Sequence, residues 1–124
     1  MQNIRITKEF SFETAHALDG HDGKCKDIHG HSYRLSITII GKPSEDVSSA
    51  KCGMVMDFAD LKSIVKKHVF DVFDHALVLR KDSRFRGVEN DNERVLYVDY
   101  QPTCENMLID MVERLKADLG GSLH

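Results

Sequence analysis

The sequence contains few cysteines, few prolines and no long apolar run. Its 124 residues include three cysteines and two prolines. Three cysteines do not make a paired disulfide framework, which indicates a reducing compartment, the cytoplasm. No apolar stretch approaches the roughly 20 residues that cross a bilayer, and the first residues lack the basic start and apolar stretch of a secretory signal. We therefore expect a cytoplasmic protein without a membrane partner.

An excess of positive charge is also missing. Lysine and arginine number 17 against 20 aspartate and glutamate residues, which gives a formal net charge of −3. A general nucleic-acid binder normally carries a basic field, so we expect no nucleic-acid partner. The chain has no repeat and no linker-like stretch, and its length predicts one domain over residues 1–124. Because the core of such a domain is small, self-association would help to bury apolar surface.

Alternating apolar residues predict two long strands. In residues 4–12 the apolar side chains at positions 4, 6, 10 and 12 share one face, which is the period of a half-buried strand. Residues 32–41 repeat the pattern with apolar side chains at positions 33, 35, 37 and 39. A shorter strand is predicted for "RVLYVDY", after the charged loop "RKDSRFRGVENDNE".

Two further segments have helical periodicity. Asp57 is a suitable N-cap for the first helix, with Asp60 three residues on. Pro102 and Thr103 open the second helix, and a glycine pair at 120 and 121 ends it. The predicted order is strand, strand, helix, short strand, helix. The apolar stripes are Leu61, Ile64, Val65, Val69 and Val72 in the first helix, and Leu108, Met111, Val112, Leu115 and Leu119 in the second.

Three histidines have the parity of the apolar strand positions. His29 and His31 match the second strand, and His16 matches the first. If the strands pair without a bulge, the three rings converge on one side of the sheet at its end. Zinc accepts three histidines and, where it is catalytic, keeps its fourth position for water or substrate. A zinc site is one interpretation; ordinary buried or edge histidines are the other, since H-x-H alone is a weak signal.

Cys25, four residues before His29, also has two interpretations. It can complete a closed structural site of one cysteine and three histidines. Alternatively it is a free thiol beside the metal, whose charge favours the thiolate and makes the sulfur a usable base or nucleophile.

The blocks "FSFETAHAL", "CKDIHGHSYRL", "MVMDFADLK", "FDHALV" and "PTCEN" occur in this order over nearly the whole chain. Together they resemble the 6-pyruvoyl-tetrahydropterin synthase family, which includes the bacterial 6-carboxy-tetrahydropterin synthases. The short gap between Cys25 and His29 is most similar to the queuosine-pathway branch. The resemblance implies an α+β tunnelling fold, an antiparallel four-stranded sheet with two helices on one face. It also implies subunits that join into a β-barrel ring, as a homotrimer or homohexamer with active sites where subunits meet.

The resemblance implies roles for individual residues. His16, His29 and His31 would bind zinc, and Cys25 would be the base that moves substrate protons.

Other blocks of the resemblance supply the remaining site residues. Asp74 would orient the ring of His75, the second proton-transfer group. Thr103, Cys104 and Glu105 would help to hold the pterin, although Cys104 stands where relatives usually have serine, threonine or alanine.

The reaction implied by the resemblance converts 7,8-dihydroneopterin triphosphate to 6-carboxy-5,6,7,8-tetrahydropterin, with loss of triphosphate and acetaldehyde. One group accepts a proton while another donates, and no nicotinamide is needed. Basic residues of the charged loop, with Lys24 and Lys26, are candidates for the triphosphate, although charged loops are usually just solvated. Two alternatives remain: a 6-pyruvoyl-tetrahydropterin synthase using the same substrate, and a non-catalytic zinc-binding module.

The resemblance also implies segments beyond the 124 residues. Members of the family follow the second helix with two strands, and a glutamate near their end anchors the pterin. Only "GSLH" follows Gly120 here, and Glu105 already has its own place in the pterin-holding stretch. We therefore expect the C-terminal strands to be missing from this sequence, with roughly 20 residues after His124.

Overall fold

In residues 2–87 and 94–124, which the computed structural model describes, four strands form one sheet. The strands are β1 (Ile4–His16), β2 (His29–Gly41), β3 (Ala76–Arg80) and β4 (Val95–Val98), and their order in the sheet is β2-β1-β3-β4. The helices are α1 (Phe58–Val65), a π-helical turn (Lys66–Phe70), α2 (Asp71–Phe73) and α3 (Cys104–Leu119). Short 3-10 turns lie at Lys24–Lys26 and Gly120–Ser122.

The strand directions in this sheet are mixed. β1 and β2 are antiparallel and pair over their whole length, from Ile4 opposite Gly41 to His16 opposite His29. β3 runs parallel to β1, with Thr14 opposite Ala76, and β4 runs parallel to β3. The four-stranded sheet with two helical segments, which the resemblance implies, is confirmed. The expectation that the sheet is antiparallel holds for β1 and β2 only, because β3 and β4 join by parallel pairing.

The ends of the long strands extend beyond the apolar pattern. β1 continues four residues past Phe12 to His16, and β2 begins at His29 rather than at Ser32. β3 was not predicted from the sequence. Its residues "ALVLR" begin with four apolar side chains in a row, three of them buried, so they lack the alternation that marks a half-buried strand.

The core lies between one face of the sheet and the helices. Asp57 caps α1 by accepting a hydrogen bond from the Ala59 amide at 2.8 Å, as predicted, and Thr103 caps α3 by accepting one from the Asn106 amide at 3.1 Å. Residues 58–73 form one continuous helical segment. This segment and α3 both contribute to one cluster of buried apolar side chains. That cluster comprises Phe10, Phe12, Leu35, Ile37, Ile39, Leu61, Val65, Val69, Phe73, Val78, Val98, Met107, Met111, Leu115 and Leu119.

The buried stripe of α3 differs from the predicted one at its first position. Met107 is 2% exposed, whereas Leu108 is 48% exposed. The stripe continues through Met111, Leu115 and Leu119, every fourth residue, which is one face of a helix. The prediction that Leu108 belongs to this stripe is therefore wrong, because sequence spacing alone allowed either neighbour to face the sheet.

The residues after α3 contact the outer edge of β2. Leu123 forms an isolated antiparallel bridge with Ile39, and the His124 amide donates to the Thr38 carbonyl at 2.9 Å. The prediction of further strands after His124 stays a prediction. Among the described residues, no helix combines the length and the apolar character that a bilayer crossing requires.

We predict that Met107→Ala lowers the free energy of unfolding by about 2–5 kcal/mol, because it removes a buried side chain and leaves a cavity. Leu108→Ala is the matched control and should change the free energy by about 0.5 kcal/mol or less. Urea unfolding followed by circular dichroism measures both. Equal losses in the two variants would contradict the orientation of α3.

Candidate active site

Three histidine rings converge at one end of the β1–β2 pair. His16 lies opposite His29 in the register, and Thr14 lies opposite His31. One ring nitrogen from each histidine lies within 4.8 Å of the other two, and the ring centroids are 4.4–5.1 Å apart. The convergence predicted from strand parity is confirmed, because no bulge interrupts the pairing.

Backbone carbonyl oxygens fix the orientation of two of these rings. His16 Nδ1 lies 2.7 Å from the Pro102 carbonyl oxygen, and His29 Nδ1 lies 2.7 Å from the Asp27 carbonyl oxygen. A carbonyl only accepts hydrogen bonds, so each Nδ1 carries the proton and each Nε2 presents a lone pair when the ring is neutral. A metal-binding histidine usually donates its other ring N–H to such a carbonyl, which holds the ring in the orientation for metal binding.

The two free nitrogens face each other. His16 Nε2 and His29 Nε2 are 2.9 Å apart. Neither has a proton to donate when both rings are neutral, so the two lone pairs repel each other, and a cation bound by both nitrogens relieves this repulsion. Tetrahedral zinc with Zn–N bonds of about 2.0–2.1 Å separates two nitrogens by about 3.3 Å, so a small outward movement of the rings accommodates it. The donor set therefore fits a metal ion.

Burial keeps His16 in the neutral form that a metal requires. Desolvation is the largest cause of its lowered pKa, and the neighbouring His29 and His31 rings lower it further. The hydrogen bond to the Pro102 carbonyl acts in the opposite direction and raises the pKa. Because the net pKa is below the ordinary value of 6.5, the ring is available as a ligand at neutral pH.

A second pair of titratable side chains lies where α2 ends. Asp74 Oδ1 lies 3.0 Å from His75 Nδ1 and accepts a hydrogen bond from the Glu13 amide at 2.9 Å. The His75 amide donates in return to the Glu13 carbonyl at 2.6 Å. His75 has a φ of +60°, a left-handed conformation that costs a non-glycine residue about 1–2 kcal/mol.

One open cavity is lined by a residue of the three-histidine group and by a residue of the Asp74–His75 pair. Its volume is about 750 Å³, and its lining includes His31, His75, Glu13, Ser32 and Arg94. The cavity is therefore lined both by His31, one of the converging histidines, and by His75.

Cys25 lies outside the histidine group. It is in the middle of the 3-10 turn, half-buried, with its carbonyl accepting from the Leu18 amide at 2.8 Å. In residues 2–87 and 94–124 the metal-ligating group contains no cysteine, and the 750 Å³ cavity is not lined by Cys25. All three cysteines are free, as the sequence predicted.

The "PTCEN" block lies next to the histidines. Pro102 supplies the carbonyl that orients His16, and Thr103 caps α3. Cys104 is exposed and lines a small cavity of about 110 Å³ with Tyr33, whose pKa burial and the neighbouring Cys104 raise to about 12. Glu105 is exposed in the first turn of α3.

Acidic neighbours neutralise most of the basic loop. Arg80 pairs with Asp82, Lys81 with Asp99, and Arg84 with both Asp19 and Asp27, while Arg86 donates to the Lys81 carbonyl. In the described part of the chain, no ion pair involves Lys24 or Lys26. Residues 88–93 of the predicted loop lie outside the described residues.

Sequence reasoning missed the groups that hold the site residues in place. The carbonyls of Pro102 and Asp27 orient two rings, and the backbone of Glu13 holds the Asp74–His75 pair. Backbone groups carry no side-chain signature, so no residue pattern marks them. The position of the "PTCEN" block in the resemblance was the one available signal for Pro102.

Comparison with known proteins places these features in a family. The family model described as 6-pyruvoyl tetrahydropterin synthase matches residues 5–124. The 6-carboxy-5,6,7,8-tetrahydropterin synthase of Haemophilus influenzae is 42% identical over 120 residues, covering 93% of this chain and 84% of its own length. The enzyme of the same name from Rickettsia felis is 35% identical over 107 residues, covering 84% of this chain and 74% of its own length.

Solved structures agree with the sequence matches. The 6-pyruvoyl tetrahydropterin synthase of Caenorhabditis elegans superimposes with a TM-score of 0.69 and 28% identity, covering 100% of this chain and 86% of that chain. An uncharacterized protein from Wolinella succinogenes has the same fold, with a TM-score of 0.72 at 18% identity, covering 97% of this chain and 87% of that chain. The chain belongs to the 6-pyruvoyl tetrahydropterin synthase family.

We predict that the purified protein retains about one divalent metal ion per chain and that His16→Ala and His29→Ala lose it, because each change removes one of three ligands. Cys25→Ala should retain the ion. Elemental analysis after exhaustive dialysis measures the metal content. Loss of metal from Cys25→Ala would make the sulfur a ligand and contradict the three-histidine group.

Proposed function

We propose that this member of the 6-pyruvoyl tetrahydropterin synthase family is a zinc-dependent lyase of the 6-carboxy-tetrahydropterin synthase type. Its substrates would be 7,8-dihydroneopterin triphosphate and one molecule of water. Its products would be 6-carboxy-5,6,7,8-tetrahydropterin, acetaldehyde and triphosphate, a step toward queuosine and other 7-deazapurines. The observation that carries the proposal is the single cavity that His31 shares with His75. The relatives from Haemophilus influenzae and Rickettsia felis bear the corresponding name.

The metal would be held by one imidazole nitrogen each from His16, His29 and His31, a donor set that suits zinc. Bound zinc supplies Lewis acidity, which stabilises negative charge on the hydroxyl oxygens of the substrate side chain. Three protein ligands leave one coordination position for the substrate, which is the arrangement of catalytic rather than structural zinc.

The chain's own residues would move the protons. Asp74 Oδ1, which lies 3.0 Å from His75 Nδ1, would hold the proton on that nitrogen, and His75 Nε2 would then take or give a proton in the cavity. The Cys25 thiol is the second proton-transfer group, since a redox-neutral rearrangement needs one group to accept while the other donates. Because Cys25 does not line the cavity of His75 in the described residues, we propose that these two groups meet across a subunit interface.

The pterin would be held near the start of α3. Thr103, Cys104 and Glu105 follow Pro102 directly, so a ligand bound at these residues lies next to His16. Glu105 is exposed and free to accept hydrogen bonds from a pterin's N–H groups. The Thr103 hydroxyl accepts from the Asn106 amide and keeps its own proton to donate to a ligand, whereas the Thr103 amide already donates to the Gln101 carbonyl at 2.8 Å.

The test of the proposed function is incubation of the metal-loaded protein with 7,8-dihydroneopterin triphosphate, followed by mass identification of the products. We expect 6-carboxy-5,6,7,8-tetrahydropterin and acetaldehyde in equal amounts. Formation of 6-pyruvoyl-tetrahydropterin without acetaldehyde would favour the activity for which the Caenorhabditis elegans structure is named. No turnover with full metal occupancy would favour a non-catalytic metal-binding module.

We predict that Cys25→Ala and His75→Ala each lower kcat by roughly 10²–10⁴-fold with the metal retained, because each removes a proton-transfer group. Cys52→Ala is the matched control, since Cys52 is an exposed free cysteine whose Sγ lies 3.7 Å from the Ser44 carbonyl oxygen. Steady-state kinetics and metal analysis on the same samples measure both effects. Unchanged kcat in Cys25→Ala would remove the thiol from the mechanism.

A further inference from the structure

We propose that Arg94 is a positioning residue, which holds His75 in its left-handed conformation and thereby aims the ring into the cavity. The inference rests on the proposed function, in which His75 exchanges protons with the substrate. It begins with the end of α2, because the chain must leave the helix at Phe73 and reach His75 within two residues.

Every carbonyl at this helix end has a partner. The last four carbonyls of a helix accept no hydrogen bond from an amide of the same helix, so they need donors from elsewhere. The Asp74 amide donates to the Phe70 carbonyl at 3.0 Å, and the Thr14 hydroxyl donates to the Phe73 carbonyl at 2.7 Å. The remaining two carbonyls, of Asp71 and Val72, accept from Arg94.

One guanidinium bridges the helix and the residue after it. Arg94 Nη2 donates to the Asp71 carbonyl at 2.5 Å and to the Val72 carbonyl at 3.2 Å, while Nη1 donates to the Asp74 carbonyl at 2.9 Å. The peptide bond that follows the Asp74 carbonyl is the one that enters His75. The arginine therefore fixes the peptide plane on which the backbone angle of His75 depends.

The other side of His75 is fixed by β1. The His75 amide donates to the Glu13 carbonyl, and the Glu13 amide donates to Asp74 Oδ1. Glycine is the residue that ordinarily adopts a positive φ after a helix, so a histidine there needs external support. Glu13 supplies part of that support, and Arg94 supplies the rest from the start of β4.

The geometry requires an arginine rather than any cation. A guanidinium presents its donors in a rigid planar fork, whereas an ammonium is a single point charge. Arg94 is itself held in register, because its carbonyl accepts from the Leu77 amide at 2.8 Å. It also lines the cavity with His75. Its position therefore couples the sheet to the reactive ring.

A double-variant cycle on kcat with dihydroneopterin triphosphate tests the inference. Arg94→Ala is expected to lower kcat roughly 10²-fold, with KM and metal content unchanged, because a misplacement of about 1 Å costs that much. In a His75→Ala background the same change should lower kcat less than about twofold, since the ring it positions is gone. An equal loss in both backgrounds would mean a general structural role and overturn the proposal.

Two further variants guard against misfolding. Arg94→Lys keeps a positive charge at the helix end but loses the fork, and it should lower kcat roughly 10-fold. If Arg94→Ala does not fold, Arg94→Lys takes its place in the double-variant cycle with His75→Ala. Arg5→Ala is the matched control, because it removes an exposed arginine at the opposite end of β1 from His16, and it should leave kcat unchanged.

A readout that needs no turnover separates this inference from the proposed function. With ¹³C-labelled histidine, the His75 ring resonance, assigned by its loss in His75→Ala, should shift in Arg94→Lys and Arg94→Ala but not in Arg5→Ala. An unshifted resonance would overturn the positioning role even if the substrate is turned over. A shifted resonance in a protein that does not turn over this substrate would reject the proposed function and leave the positioning of His75 by Arg94 in place.

Discussion

The antiparallel pairing of β1 with β2 is the constraint on which the site depends. Because the side-chain period of a strand is two residues, a slip of one position would move His16 and His31 to opposite faces. The register is held along the whole length of both strands, and the apolar residues of one face are buried under α1 and α3. The burial of the core therefore also fixes where the three rings meet.

The second group of residues depends on β1 as well. β1 carries Glu13, whose backbone holds Asp74 and His75, and β3 follows this pair and runs parallel to β1. The α2–β3 turn thus attaches the Asp74–His75 pair to the same strand that presents His16. The pairing of β1 with β2 brings the three histidines together. The pairing of β1 with β3 places His75 at the cavity that His31 also lines.

The sequence was sufficient for features that repeat with a fixed period. The parity of His16 and His29 followed from alternation, and the structure confirms their convergence. Helical spacing located α3 but could not choose between Met107 and Leu108, because they precede Met111 by four and by three residues and both spacings lie on one helix face. The contacts of Arg94 with the end of α2 join residues about 20 positions apart through the tertiary fold. No local pattern encodes such contacts.

The central claim is an open metal site of three histidines with the cysteine outside the coordination shell. X-ray absorption at the zinc K edge of the metal-loaded protein tests it most directly. The account predicts nitrogen or oxygen neighbours at about 2.0–2.1 Å and no sulfur shell. A sulfur neighbour at about 2.3 Å would place Cys25 on the metal, close the site and contradict the proposed catalysis.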